Sequence, residues 1–145
     1  MANFKEELEQ KGYLTYTNKG ISMMPLLRQD TDVFVIRRRE DGVYRKNDAV
    51  LFLRDSGAYV LHRITRVRRD GRFFIIGDNC TSGEIVRPDQ ILGVMTEVHR
   101  DGKVICSDSR EYRRYVCFLP LRRFFFIHWR FAKRVVRKII RMIKK

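Results

Sequence analysis

A chain of 145 residues that is 44% hydrophobic and 12% aromatic has material for one modest core, which argues against wholesale disorder. Its formal net charge of +14, from 31 Lys and Arg against 17 Asp and Glu, calls for an anionic partner: nucleic acid or an anionic membrane surface. Three cysteines (Cys80, Cys106, Cys117) without CxxC spacing argue against a disulfide framework or a zinc site and fit a reduced, intracellular setting.

Met1–Gln10 is polar and acidic and lacks the apolar run of a signal peptide. Phe4–Lys11 reads as a short amphipathic helix that ends near Gly12. Beyond it, runs of strand length rich in Val, Ile and Phe predict strands over Asp32–Arg38, Asp48–Arg54, Ala58–Arg68, Arg72–Gly77 and Gln90–His99. The pairs Asp41-Gly42, Ser56-Gly57, Asp70-Gly71 and Asp101-Gly102 punctuate these runs as hairpin turns would. Short strands at this spacing predict a mainly β domain, either a barrel or a coiled sheet.

The tail has a different period and a different charge. From Phe118 to Lys145 there are 10 basic and no acidic residues, which leaves 21 basic against 17 acidic residues on the first 117. The chain therefore divides into a body, residues 1–117, and a helical tail, residues 118–145, with Pro120 expected just ahead of the helix. At 100° per residue, Trp129, Phe131, Ala132, Val135, Val136, Ile139, Ile140, Met142 and Ile143 fill one half of the circumference. Arg130, Lys133, Arg134, Arg137, Lys138, Arg141, Lys144 and Lys145 fill the other half. No stretch offers the roughly 18 uncharged apolar residues of a spanning helix.

Three local signals carry chemistry in a fixed order. Gly20-Ile21-Ser22-Met23-Met24-Pro25 puts a serine between a residue of unusual backbone freedom and one that stiffens the chain. A serine hydroxyl needs an adjacent base and oxyanion donors to act as a nucleophile. Tyr59-Val60-Leu61-His62-Arg63-Ile64 sets a histidine within a strand, and Gly77-Asp78-Asn79 ends the next one. Singly, these are a turn serine, a packed histidine and a turn.

Together with Lys46–Val50 and Ile91-Leu92-Gly93, that order resembles the signal-peptidase I family and its LexA-like relatives over about Gly20–Val94. The resemblance implies a LexA/signal-peptidase-like coiled β-barrel, here followed by a C-terminal basic amphipathic helix. It also implies a serine endopeptidase that removes a leader, signal or propeptide from a precursor protein or peptide, without metal or other cofactor. His62-Arg63-Ile64 is similar to the archaeal and endoplasmic-reticulum type, which has histidine where other members have lysine, so Ser22 would be nucleophile and His62 general base. Imidazole, with a reference pKa of about 6.5, is largely neutral at pH 7 and suits that role.

Asp78 and Glu84 are both candidates for the acid that orients His62, and the assignment between them stays open. Glu84 stands where the histidine type carries an Asp beyond its Gly-Asp-Asn. Met23 and Met24 are candidates for an apolar floor under a bound substrate strand. Many relatives carry a side-chain hydroxyl two residues before the nucleophile; Gly20 has none, so the oxyanion hole would rest on backbone N–H groups, including that of Ser22. His99 and His128 have no partner pattern and read as structural.

The roughly 20 polar residues before Ser22 do not hold the N-terminal anchor usual in the family, and the basic tail helix is expected to replace it at an anionic membrane surface. Peripheral membrane association on the cytoplasmic side follows as an expectation, and nucleic acid is the less favoured partner. The competing reading is a catalytically inactive or regulatory module of the same fold that binds membrane or nucleic acid.

Overall fold

A computed structural model describes residues 4–143, with the side chains at 126, 127, 130–132, 134, 135, 138, 139 and 141–143 outside the description. The facial positions read from sequence for Arg130, Phe131, Ala132, Arg134, Val135, Lys138, Ile139, Arg141, Met142, Ile143, Lys144 and Lys145 therefore lie outside the described residues.

Helix α1 (Phe4–Lys11) leads into strands β1 (Tyr13–Thr17), β2 (Val33–Arg37), β3 (Ala49–Leu53), β4 (Tyr59–Val67), β5 (Phe73–Ile76), β6 (Gly83–Val86), β7 (Ile91–Arg100) and β8 (Lys103–Cys106). Helix α2 (Arg110–Ile143) closes the chain. The strands form one antiparallel sheet in the order β1-β2-β7-β3-β4-β5-β6, with β8 paired to β7. The fold is thus mainly antiparallel β with a C-terminal helix, as the sequence implied. The path ends on β1 and β6, so the sheet is open where the sequence suggested a barrel.

The five apolar runs all become strands, and β1, β6 and β8 are additional. Asp101 and Gly102 have φ of 49° and 76°, the pair of left-handed conformations that lets a two-residue turn join β7 to β8 with the right twist.

The apolar alternation of β3 builds two cores at once. Ala49 and Leu51 join a cluster with Leu14, Met23, Leu26, Leu27, Ile36 and Met95. Val50 and Phe52 point the other way, into a cluster with Ile64, Phe73, Ile75 and Val86. A strand buried on both faces shows little period-2 contrast, which explains the continuous run Ala-Val-Leu-Phe-Leu. At roughly 1.5–3 kcal/mol for each large apolar side chain removed from water, these clusters are the main stabilising term.

Helix α2 begins at Arg110, ahead of the expected tail, because Ser109 caps it: its Oγ accepts the Tyr112 N–H at 3.1 Å. Its first turns pack on the sheet through Tyr112 and Leu119, which are buried. Pro120 lies inside α2 and not before it, so Val116 lacks its usual amide donor there. The helical period continues on both sides of that lost bond.

Candidate active site

Ser22 lies in the long connection from β1 to β2, and that loop is held by its carbonyls. Asn18 Nδ2 donates to Gly20 O at 2.6 Å, Asn79 Nδ2 to Ile21 O at 3.1 Å and the Asn79 N–H to Ser22 O at 2.7 Å. Arg100 Nη2 donates to Pro25 O at 3.0 Å and Leu26 O at 2.7 Å. Arg100 is itself fixed by buried Asp32, whose carboxyl is held below its ordinary value by Arg100 and Arg28 against the opposing effect of burial. The Met24–Pro25 peptide bond is cis.

Gly20 does not supply the special geometry expected of it. Its φ is not positive, and a Cβ there would meet nothing. The required glycine is Gly77. A Cβ on it would lie 2.7 Å from Ser22 O, 2.8 Å from Cys80 Sγ and 3.0 Å from His62 Nε2. Real Cβ atoms do not approach backbone oxygen that closely, so only glycine lets the β5 end, the serine loop and the histidine meet at this point.

His62 comes from β4, opposite Val50 of β3, with its ring centroid 6.1 Å from that of Phe52. It is buried, and burial pushes its pKa below the ordinary imidazole value, with Glu84 opposing and Arg54 reinforcing the shift. Ser22 and His62 both line a groove of about 720 Å³. Its other walls come from Leu14 and Tyr16 on β1, Leu51 on β3 and Tyr59 to Leu61 on β4, with Lys19 and Arg54 among its charged lining. Among the described residues Ser22 Oγ makes no hydrogen bond, and the Ser22 N–H donates to no backbone carbonyl.

The two candidate acids have different partners. Glu84, on β6, has Oε1 3.8 Å from His62 Nδ1, beyond hydrogen-bond reach, and both its oxygens accept from Arg54. His62 Nδ1 is buried without a partner. Asp78 is committed elsewhere. Arg63 Nε and Nη2 reach its two oxygens at 2.8 and 2.7 Å, and the Tyr115 hydroxyl donates to Oδ2 at 3.0 Å. Arg63 also donates to Asn47 O at 2.7 Å and the Tyr112 hydroxyl at 2.9 Å. Burial disfavours the Arg63 charge, but these bonds overcome it and leave the guanidinium more firmly protonated than usual. Asp78 is thus the anchor of the turn that carries Asn79 to the serine loop, and Glu84 is the acid nearest the imidazole.

Met23 and Met24 do not floor the groove. Met23 is 1% exposed in the core, and half-buried Met24 is not among the residues that line the groove. The apolar lining comes instead from Leu14, Tyr16, Leu51 and Leu61, to which the sequence assigns no substrate role. Arg54 and the partners of Arg63 were missed from sequence. The available signal for the latter was an arginine between His62 and Ile64 inside a predicted strand, which demands a counter-charge once buried.

His99 pairs with Glu97 at 3.0 Å, and His128 Nδ1 lies 2.7 Å from Phe124 O on α2; both are remote from the groove. Among the described residues no cluster of His, Cys, Asp or Glu has the makings of a metal site, and no helix is long and apolar enough to cross a membrane. Compared with known proteins, the sequence matches no family model and no curated protein.

Proposed function

We propose that the chain is a serine endopeptidase of the signal-peptidase/LexA-like type, its open sheet a variant of that family's coiled barrel, which cuts a leader, signal or propeptide from a precursor. The observation that carries this reading is the convergence on Gly77, where Ser22 O and His62 Nε2 flank one point, together with the placing of Ser22 and His62 on one mostly apolar groove. In the reaction, His62 Nε2 takes the Ser22 proton as Oγ attacks the scissile carbonyl carbon. The oxyanion is met by backbone N–H groups, for which the undonated Ser22 N–H is available. The imidazolium then passes its proton to the leaving amine. Water, deprotonated by His62 in turn, releases the acyl group from Oγ. Glu84, 3.8 Å from Nδ1, stabilises the imidazolium through space. The Ser22–His62 hydrogen bond forms in the substrate complex, as is common where the free site is looser.

Mass spectrometry of a pool of synthetic peptides spanning leader, signal and propeptide junctions tests the assignment. The wild-type protein is expected to cut a subset at one bond each, and Ser22→Ala to cut none while keeping its melting temperature and circular-dichroism spectrum. A wild-type protein that leaves the whole pool intact, or an alanine variant that cuts as well, removes the peptidase reading in favour of a binding module.

The proposed partner of α2 is an anionic membrane surface. Phe118, Leu121, Phe125, Trp129, Val136 and Ile140 are all about half exposed or more. At 100° per residue they fall within an arc of about 100°. Their stripe is apolar, while exposed Lys133 and Arg137 flank it and no acidic residue lies beyond Phe118. Each basic side chain near an anionic leaflet contributes roughly 1 kcal/mol, and the stripe adds burial that salt does not screen. Val136→Asp with Ile140→Asp is expected to abolish binding to phosphatidylglycerol vesicles, while RNA affinity falls only slightly. Vesicle binding unchanged in that variant contradicts the anchor.

A further inference from the structure

The loop that carries Ser22 is braced from a second direction, by α2. Arg122 Nη1 donates to the Met24 carbonyl at 3.2 Å. The next residue, Arg123, donates to Gly77 O at 3.2 Å and, at the limit of bonding distance, to Ile76 O at 3.5 Å. Its Nη2 also lies 3.7 Å from Asp78 Oδ1. Two consecutive guanidinium groups on one helix therefore reach both segments of the candidate site: the serine loop, and the β5 end that walls His62 Nε2. Arg123 is half-buried and has a buried Nε without a partner; burial, reinforced by the Arg63 charge, disfavours its own charge, and Asp78 is the main group opposing that.

We infer that Arg122 is a positioning residue for the Ser22 nucleophile, setting the distance from the serine loop to His62 through the Met24 carbonyl. The inference rests on Ser22 being the nucleophile. Geometry explains why this contact bears on rate. Asn79 fixes Ile21 and Ser22 from the turn between β5 and β6, and Arg100 fixes Pro25 and Leu26. Met24 lies between these ties, and its carbonyl accepts from α2. Within a hydrogen-bonded turn, a shift of that peptide is passed back to Ser22, because the Met24 N–H donates to Ile21 O at 3.2 Å. A displacement of about 1 Å between reacting groups can lower a rate about 10²-fold without touching ground-state binding.

The test uses the full chain and the peptide it cuts fastest from the pool described above. Arg122→Ala is expected to lower kcat by about 10- to 100-fold with KM nearly unchanged. Arg122→Lys, which keeps a charged donor, is expected to recover most of the loss. Arg114→Ala removes an exposed α2 charge and is expected to match wild type, which separates positioning from a general charge effect. Wild-type kcat in Arg122→Ala, a change confined to KM, or an equal loss in Arg114→Ala overturns the inference. If Arg122→Ala does not fold, Arg122→Lys and Arg122→Gln carry the test: kcat is expected to fall in the order Arg, Lys, Gln at equal circular dichroism, and equal rates overturn it. A wild-type protein that cuts nothing overturns the Ser22 assignment and this inference with it, whereas active wild type with an indifferent Arg122 overturns this inference alone.

Discussion

Replacing His62 by alanine is expected to lower kcat by several orders of magnitude with little change in KM, because a general base acts only once the nucleophile begins to attack. Residues that act as a unit lose their effect together, so Ser22→Ala with His62→Ala is expected to be no slower than either single variant. The pH profile carries the second half of this prediction. Burial lowers the His62 pKa, so kcat/KM is expected to rise through one ionisation below the ordinary imidazole value of about 6.5 and to level off by neutrality. A rate climbing only above about pH 8–9 points to a different base. The sign for stability is the same: a depressed folded-state value means the unfolded chain binds the proton more readily. The contribution of neutral His62 is therefore present above the unfolded value and lost as pH falls through the folded one.

Arg63→Ala is expected to cost about 3–5 kcal/mol in urea unfolding, the largest stability effect of any substitution in the polar interior. Arg63 is 1% and Asp78 2% exposed, so the change would leave a carboxylate in the interior with only the Tyr115 hydroxyl and the more distant Arg123. It would also strip donors from Asn47 O and the Tyr112 hydroxyl. Arg63→Met combined with Asp78→Asn removes the lone charge and is expected to be milder than Arg63→Ala, even though it changes more atoms. A double variant less stable than the single would show that the pair acts through packing and not through its charge. Activity is expected to fall in both, since Asp78 anchors the turn whose Asn79 grips Ser22 O.

The legible parts of the fold were those written in apolar residues. The runs of β2, β3, β4, β5 and β7 announce themselves, and so do the hairpin turns at Ser56-Gly57 and Asp70-Gly71, whereas Asp41-Gly42 joins β2 to β3, which β7 separates in the sheet. Tyr13–Thr17, Gly83–Val86 and Lys103–Cys106 did not, because each is short and mostly exposed, and its conformation is decided by the neighbour it pairs with. The start of α2 was hidden for a related reason. Arg110–Cys117 is too charged to look like core, and only the Ser109 cap marked it. At the site, the approach of Ser22 and His62 could be read from residue type and order, and so could the presence of Glu84 nearby. The partner of Asp78 could not, since Arg63 follows the candidate base directly and alternation along β4 sends the two side chains to opposite faces. Met23 was misread because a loop methionine beside a serine looks available, whereas its side chain closes the first core.

Strand β7 divides the sheet in a way that bears on how the chain is made. On one side of it lie β1 and β2, which frame the Ser22 loop; on the other lie β3 to β6, which carry His62, Gly77 and Glu84. Within the sheet these groups are joined only through β7, whose pairing of Val33 with His99 bridges most of the body. During synthesis the local pairs β1–β2 and β3 to β6 can form as they emerge, while the two groups must wait for residues 91–100 before they join. Such non-local closure is intrinsically slow. The nascent protein therefore carries its serine and its histidine on separate pieces of structure until nearly the whole body has been translated.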